Sequence, residues 1–74
     1  MSAAISKSEI DRLQAYLRAK FAHPGLTVVA RPRANDSAEV LLGDEFIGVV
    51  YKDDEDGDIS YTWTMAILSE DLSA

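Results

Sequence analysis

The stretch from Glu45 to Leu68, EFIGVVYKDDEDGDISYTWTMAIL, constrains the fold more than any other part of the chain. Two runs rich in β-branched and aromatic residues flank a short acidic segment that ends in Asp56-Gly57. Asp-Gly supplies the positive φ that tight hairpin turns need, so the stretch reads as a β-hairpin. Its first arm is expected over Phe46 to Lys52, its turn over Asp53 to Asp58, and its second arm from Ile59 to about Ile67.

The N-terminal segment has a different periodicity. Ser6 and Glu9 have the spacing of a capping box, and Ile5 and Ile10 that of a hydrophobic staple. A helix is expected from there to about Ala22, with Ile10, Leu13, Leu17 and Phe21 on one apolar stripe, Tyr16 on its shoulder, and Asp11, Arg12, Gln14 and Arg18 pointing away. Pro24-Gly25 suits the centre of a type II turn. Leu26 to Arg31 reads as a strand that lies at an edge or ends at Pro32, because proline cannot donate to a ladder. Arg33 to Ser37 reads as a polar loop and Glu39 to Leu42 as a short strand. Gly43-Asp44-Glu45 makes a tight connection, and one helical turn is expected around Leu72.

The chain therefore reads as an α+β domain: an N-terminal helix packed on a four-stranded antiparallel β-meander, in the order α-β-β-β-β. Residues 1–74 make one small domain, with 1–5 and 70–74 expected to fray. A chain of this size buries only about 60% of its unfolded surface. With no cysteine there is no disulfide, thiolate nucleophile or cysteine metal site to supplement that core. Small chains without such staples commonly gain core by self-association. The lack of cysteine, the lack of an apolar run in MSAAISKSEI and the lack of any membrane-length apolar stretch make a cytoplasmic protein the expectation.

Charge is distributed unevenly. The net charge is −6, yet residues 1–33 carry +4 and residues 34–74 carry −10. The acidic balance argues against nucleic-acid binding, which needs several phosphate-neutralising cations in one patch. Arg12, Arg18, Lys20, Arg31 and Arg33 read as a solvated face and edge protection rather than an anion site.

The candidate chemical sites are weak. The acidic turn suggests calcium, with Asp54, Asp56 and Asp58 as the candidate ligands. An EF-hand register that places Gly57 at position six puts Lys52 at position one and Trp63 at position twelve, and both are wrong. A solvated hairpin tip is the better reading. His23 is the sole histidine and has no second ligand type to make a zinc site. Asp44 and Glu45 could be imagined as a catalytic pair, but acids on a hairpin tip are solvated and equivalent, whereas acid–base catalysis needs separated pKa values in a cleft. No catalytic residue and no cofactor is expected, and the chain is not expected to be an enzyme.

The sheet carries more information. Strict alternation puts Phe46, Gly48 and Val50 on one face and Ile47, Val49 and Tyr51 on the other. The second hairpin arm has an apolar face of Ile59, Tyr61, Trp63, Met65 and Ile67. One helix can cover only one face, and which face it covers is left open by the sequence. An uncovered apolar face implies a partner. Phe46, Gly48 and Val50 are the expected partner-binding residues.

The segment LLGDEFIGVVYKDDEDGDISYTWTMAIL resembles a small family of bacterial proteins of about this length, chiefly from alphaproteobacteria, classed as a domain of unknown function. The resemblance runs from Ser8 to Leu72 and is most specific in Gly43-Asp44-Glu45-Phe46-Ile47-Gly48, in the acidic turn and in Met65-Ala66-Ile67-Leu68. It implies a bacterial cytoplasmic protein and supplies no activity, ligand or functional residue. The expected function is thus a non-enzymatic interaction module that binds a protein partner or itself through an apolar sheet face or edge. The alternatives are an acidic regulator that docks a basic partner through the Asp53–Asp58 tip, or weak divalent-cation binding there. No nucleic-acid or membrane partner is expected.

Overall fold

The structure, a computed structural model, describes residues 4–31, 33–54 and 57–72. Helix α1 spans Lys7–Lys20 and is followed by β1 (Leu26–Arg31), β2 (Ala34–Leu42), β3 (Glu45–Asp53), β4 (Ser60–Thr64) and a 3-10 turn over Ser69–Leu72. The strands form one antiparallel sheet in the order β1-β2-β3-β4. The expected α-β-β-β-β meander is the fold.

The start of α1 follows the capping box. Ser6 Oγ accepts the Glu9 amide at 3.1 Å, and Glu9 Oε1 accepts the Ser6 amide at 2.9 Å. The helix stops before Ala22. The Ala22 amide donates to Ala19 O and the His23 amide to Arg18 O, with Ala22 at φ 51°. These two bonds and the left-handed residue are a Schellman closure, which normally uses glycine. The following turn closes from the Leu26 amide to His23 O, but the positive φ that a type II turn would place at Gly25 is absent. Gly43 and Gly57, both expected at turns, do take positive φ, at 63° and 81°.

Two strand boundaries differ from expectation. β2 begins at Ala34 and takes in Asn35, Asp36 and Ser37, which were expected to be loop. Ser37 is buried, pairs with Tyr51 and accepts from Arg31 Nη1 at 3.4 Å, so cross-strand pairing overrides the poor strand propensity of these residues. β4 ends at Thr64, opposite Val49, leaving Met65–Ile67 outside the ladder. Ala4 and Ile5 are hydrogen-bonded to the sheet. The Ile5 amide donates to Asn35 O at 2.7 Å, and Ala4 O accepts from Lys52.

One irregularity decides which face each side chain occupies. The β2–β3 register shifts between Val40 and Leu41: Val40 opposes Gly48 and Leu41 opposes Phe46, so Ile47 is the extra residue of a β-bulge. Because side-chain direction has period two, one extra residue reverses everything beyond it. Gly48, Val50 and Lys52 therefore face the helix together with Val28, Val40, Ala38 and Trp63, whereas Phe46 joins Leu41, Val49 and Tyr51 on the bare face. The core is the cluster of Leu17, Leu26, Val28, Ala38, Val40 and Val50.

Helix α1 lies toward β1. Gln14 Oε1 accepts the Val28 amide at 3.1 Å, and Arg18 Nε donates to Leu26 O at 2.6 Å. Gln14 and Arg18 thus do not point away as expected; they close the outer edge of β1. The other edge strand is β4.

Two substitutions test this packing. A Cβ on Gly48 would lie 2.3 Å from Trp63 Nε1 and 2.4 Å from Thr64 O. Gly48→Ala should destabilise by about 1–3 kcal/mol in urea unfolding, as overpacking does. Ala22→Gly should stabilise by about 1 kcal/mol in the same assay by relieving the left-handed alanine.

Candidate functional site

Because α1 lies along β1, the helix-facing side of β3 and β4 is incompletely covered. The opening is a groove of about 540 Å³. Its apolar walls are Leu13, Tyr16, Leu17 and Phe21 from the helix and Val50 and Trp63 from the sheet. Phe21 meets Trp63 edge to face, with ring centroids 5.5 Å apart, a favoured aromatic arrangement. Tyr16 and Phe21 are more than half exposed. Arg12 and Lys20 stand on the rim and Glu9 and Tyr61 at one end. The groove thus has the size and the mostly apolar lining of a ligand site, with cations at its margin.

The polar end is a closed network. Glu9, buried on the first turn of α1, receives Lys52 Nζ at 2.9 Å on Oε1 and 2.8 Å on Oε2. It also receives the Ser6 amide on Oε1 and the Tyr61 hydroxyl on Oε2. The third donor direction of Lys52 goes to Ala4 O at 3.1 Å. A buried charge pair is tolerable only when its remaining lone pairs and protons are satisfied, and here they are. The bonds from Lys52, then Tyr61, then Ser6 hold the Glu9 carboxyl at about 2, below its usual 4.5. The Tyr61 hydroxyl is pushed up, first by its bond to Glu9 and then by burial. Glu9 and Lys52 are 43 positions apart in sequence. Strand alternation could have drawn attention to Lys52, a lone cation on an otherwise apolar face of β3, but nothing local names its partner.

The expected partner-binding set does not form one surface. Val50 is 2% exposed in the core, and Gly48 is covered by the Trp63 indole. Only Phe46, at 55%, is open, and the bulge turns it to the opposite face. The apolar residues that the helix leaves bare are Val29, Leu41, Phe46, Val49 and Tyr51, spaced among Thr27, Glu39, Thr62 and Thr64. In the hairpin tip Asp54 and Asp58 flank Gly57, while Asp56 lies outside the described residues. Among the described residues no group of three or more acidic, histidine or cysteine side chains is placed to hold a metal ion. His23 Nδ1 accepts the Gly25 amide at 3.0 Å. Asp44 and Glu45 are exposed at the β2–β3 turn. Among the described residues no helix is long and apolar enough to cross a membrane.

Residues 9–71 match a family described as proteins of unknown function, DUF3126. The chain belongs to that family. No curated protein and no solved structure matches it. The matched span of the DUF3126 domain starts at Glu9 and includes the whole groove, its Lys52–Tyr61 end and most of the segment after β4.

The network sets a pH dependence. A carboxyl held below its unfolded value contributes stability that is fully present above that value and lost as pH falls through the folded one. Stability measured in urea should therefore decline between about pH 4.5 and about pH 2. Lys52→Met, which leaves Glu9 buried without its cation, should cost on the order of 3 kcal/mol at neutral pH and flatten that acid limb.

Proposed function

We propose that this DUF3126 protein is a non-enzymatic interaction module that seats an apolar protein segment in the groove between α1 and β4. The observation that carries the reading is the groove itself: a cleft walled by exposed aromatic rings and floored by the core, with the Glu9–Lys52 network at its polar end already committed. The oxygens of Glu9 and the protons of Lys52 are taken up by one another and by Ser6, Tyr61 and Ala4, so the network supplies rigidity rather than a free acid or base. Large aromatics that are apolar on one side and wet on the other are the residue types that anchor protein contacts. Arg12 and Lys20 favour segments with acidic flanks and speed their encounter. The composition without cysteine is consistent with a reducing cytoplasm, and a bacterial cytoplasmic location is part of the proposal.

A second surface competes. Phe46, Leu41, Val49 and Tyr51 make an apolar strip on the bare sheet face, and Phe46 is its most exposed member. This is the sheet-face version of the same module, moved from Gly48 and Val50 to their neighbours.

Selection of peptides from a random library on the immobilised protein separates the two. The expected result is enrichment of apolar peptides flanked by acids, with binding lost in Tyr16→Asp and kept in Phe46→Asp. Tyr16 and Phe46 are both exposed, so neither change should unfold the domain. Loss in Phe46→Asp alone would move the site to the sheet face, and no enrichment at all would refute the module.

A further inference from the structure

The segment after the last strand is apolar and exposed. Beyond β4, Met65, Ile67, Leu68 and Leu72 are 53–75% exposed. Their backbone leaves the sheet because β4 ends opposite Val49, next to the Gly48 and Ile47 bulge. The molecule is correspondingly long, with principal extents of 44 × 24 × 23 Å and a radius of gyration of 13.2 Å. A compact domain of this length would have a radius of about 11 Å. A short chain that exposes both an apolar groove and an apolar tail is lacking half of a contact.

We propose that the groove is filled by the Met65–Leu72 segment of a second copy of this chain, each copy giving its segment to the other. This rests on the groove being a binding site, and it names the occupant. The dimensions agree. From Leu13 to Phe21 the helix rises about 12 Å, and an extended Met65–Leu68 segment covers about 10 Å. The charges agree as well. Glu70 and Asp71 lie between Leu68 and Leu72, with Asp71 also accepting the Leu68 amide, and Arg12 and Lys20 stand on the groove rim. The uneven charge, positive over residues 1–33 and negative over residues 34–74, acquires a role: it pairs the groove of one copy with the tail of the other. A reciprocal exchange closes with two-fold symmetry and leaves neither tail over.

Sedimentation of the full chain from micromolar to millimolar concentration tests this. The wild type should dimerise, and Ile67→Asp/Leu68→Asp in the tail and Tyr16→Asp in the groove should each be monomeric. Arg12→Glu/Lys20→Glu should weaken the dimer by about tenfold, and adding Glu70→Lys/Asp71→Lys should restore it. These side chains are on the surface, so circular dichroism should show all variants folded. A wild type that stays monomeric at millimolar concentration, or a tail variant that still dimerises, overturns the exchange. Binding of anilinonaphthalene sulfonate to the monomeric tail variant separates the two ideas. Dye binding that Tyr16→Asp abolishes keeps the groove as a site even if the exchange fails. A wild-type monomer that takes up no dye overturns both.

Discussion

The Glu9 carboxylate is the point on which the arrangement of this domain depends. It caps its own helix through Ser6, pairs with Lys52 from β3, accepts the Tyr61 hydroxyl from β4 and, through Lys52, holds the segment before the helix at Ala4. One buried charge thus joins four parts of the chain. Removing a carboxylate and an ammonium from water is costly, and the cost is offset only because both groups are fully bonded. That requirement fixes the N-terminal end of α1 over the β3–β4 side. Gln14 and Arg18 fix the rest of the helix to the outer edge of β1.

A helix held at one end near β3 and β4 and along its length to β1 crosses the sheet rather than covering it. The groove follows from that crossing. The Leu17 side of the helix fills the core with Leu26, Val28 and Val40, while Tyr16 and Phe21 overhang Trp63 with room beneath them. A larger domain would place a second helix there. The segment after β4, apolar, exposed and carrying Glu70 and Asp71, is the proposed occupant. Closure of β1 by helix side chains also leaves β4, from which that segment departs, as the edge with no helix along it.

Much of this was legible in the sequence, and the parts that were not share a cause. The capping box at Ser6 and Glu9, the helical stripe from Ile10 to Leu17, the glycine turns at Gly43 and Gly57 and the four strands all rest on local chemistry that a single stretch displays. What failed was set by residues distant in sequence. Ser37 is strand because Tyr51 lies opposite it. Phe46 faces away from Val50 because of one extra residue at Ile47, which alternation counting cannot see. The helix end is the exception, a local feature: it closes on an alanine in the left-handed region, where a reader searches for glycine. Glu9 was read as half of a capping box, which it is, but its more consequential partners come from β3 and β4. The groove was invisible for the same reason, since its walls come from α1, β3 and β4 and no one of them signals a cleft.

The central claim, that a buried and fully bonded Glu9 carboxylate ties the helix to the sheet, is tested most directly by titrating that carboxyl by carbon-detected NMR. The expected result is a midpoint at about 2, with the Tyr61 ring and Trp63 indole resonances shifting along the same curve. A Glu9 carboxyl that titrates near 4.5, with Tyr61 and Trp63 unmoved, would contradict the tie and with it the placement of the helix that opens the groove.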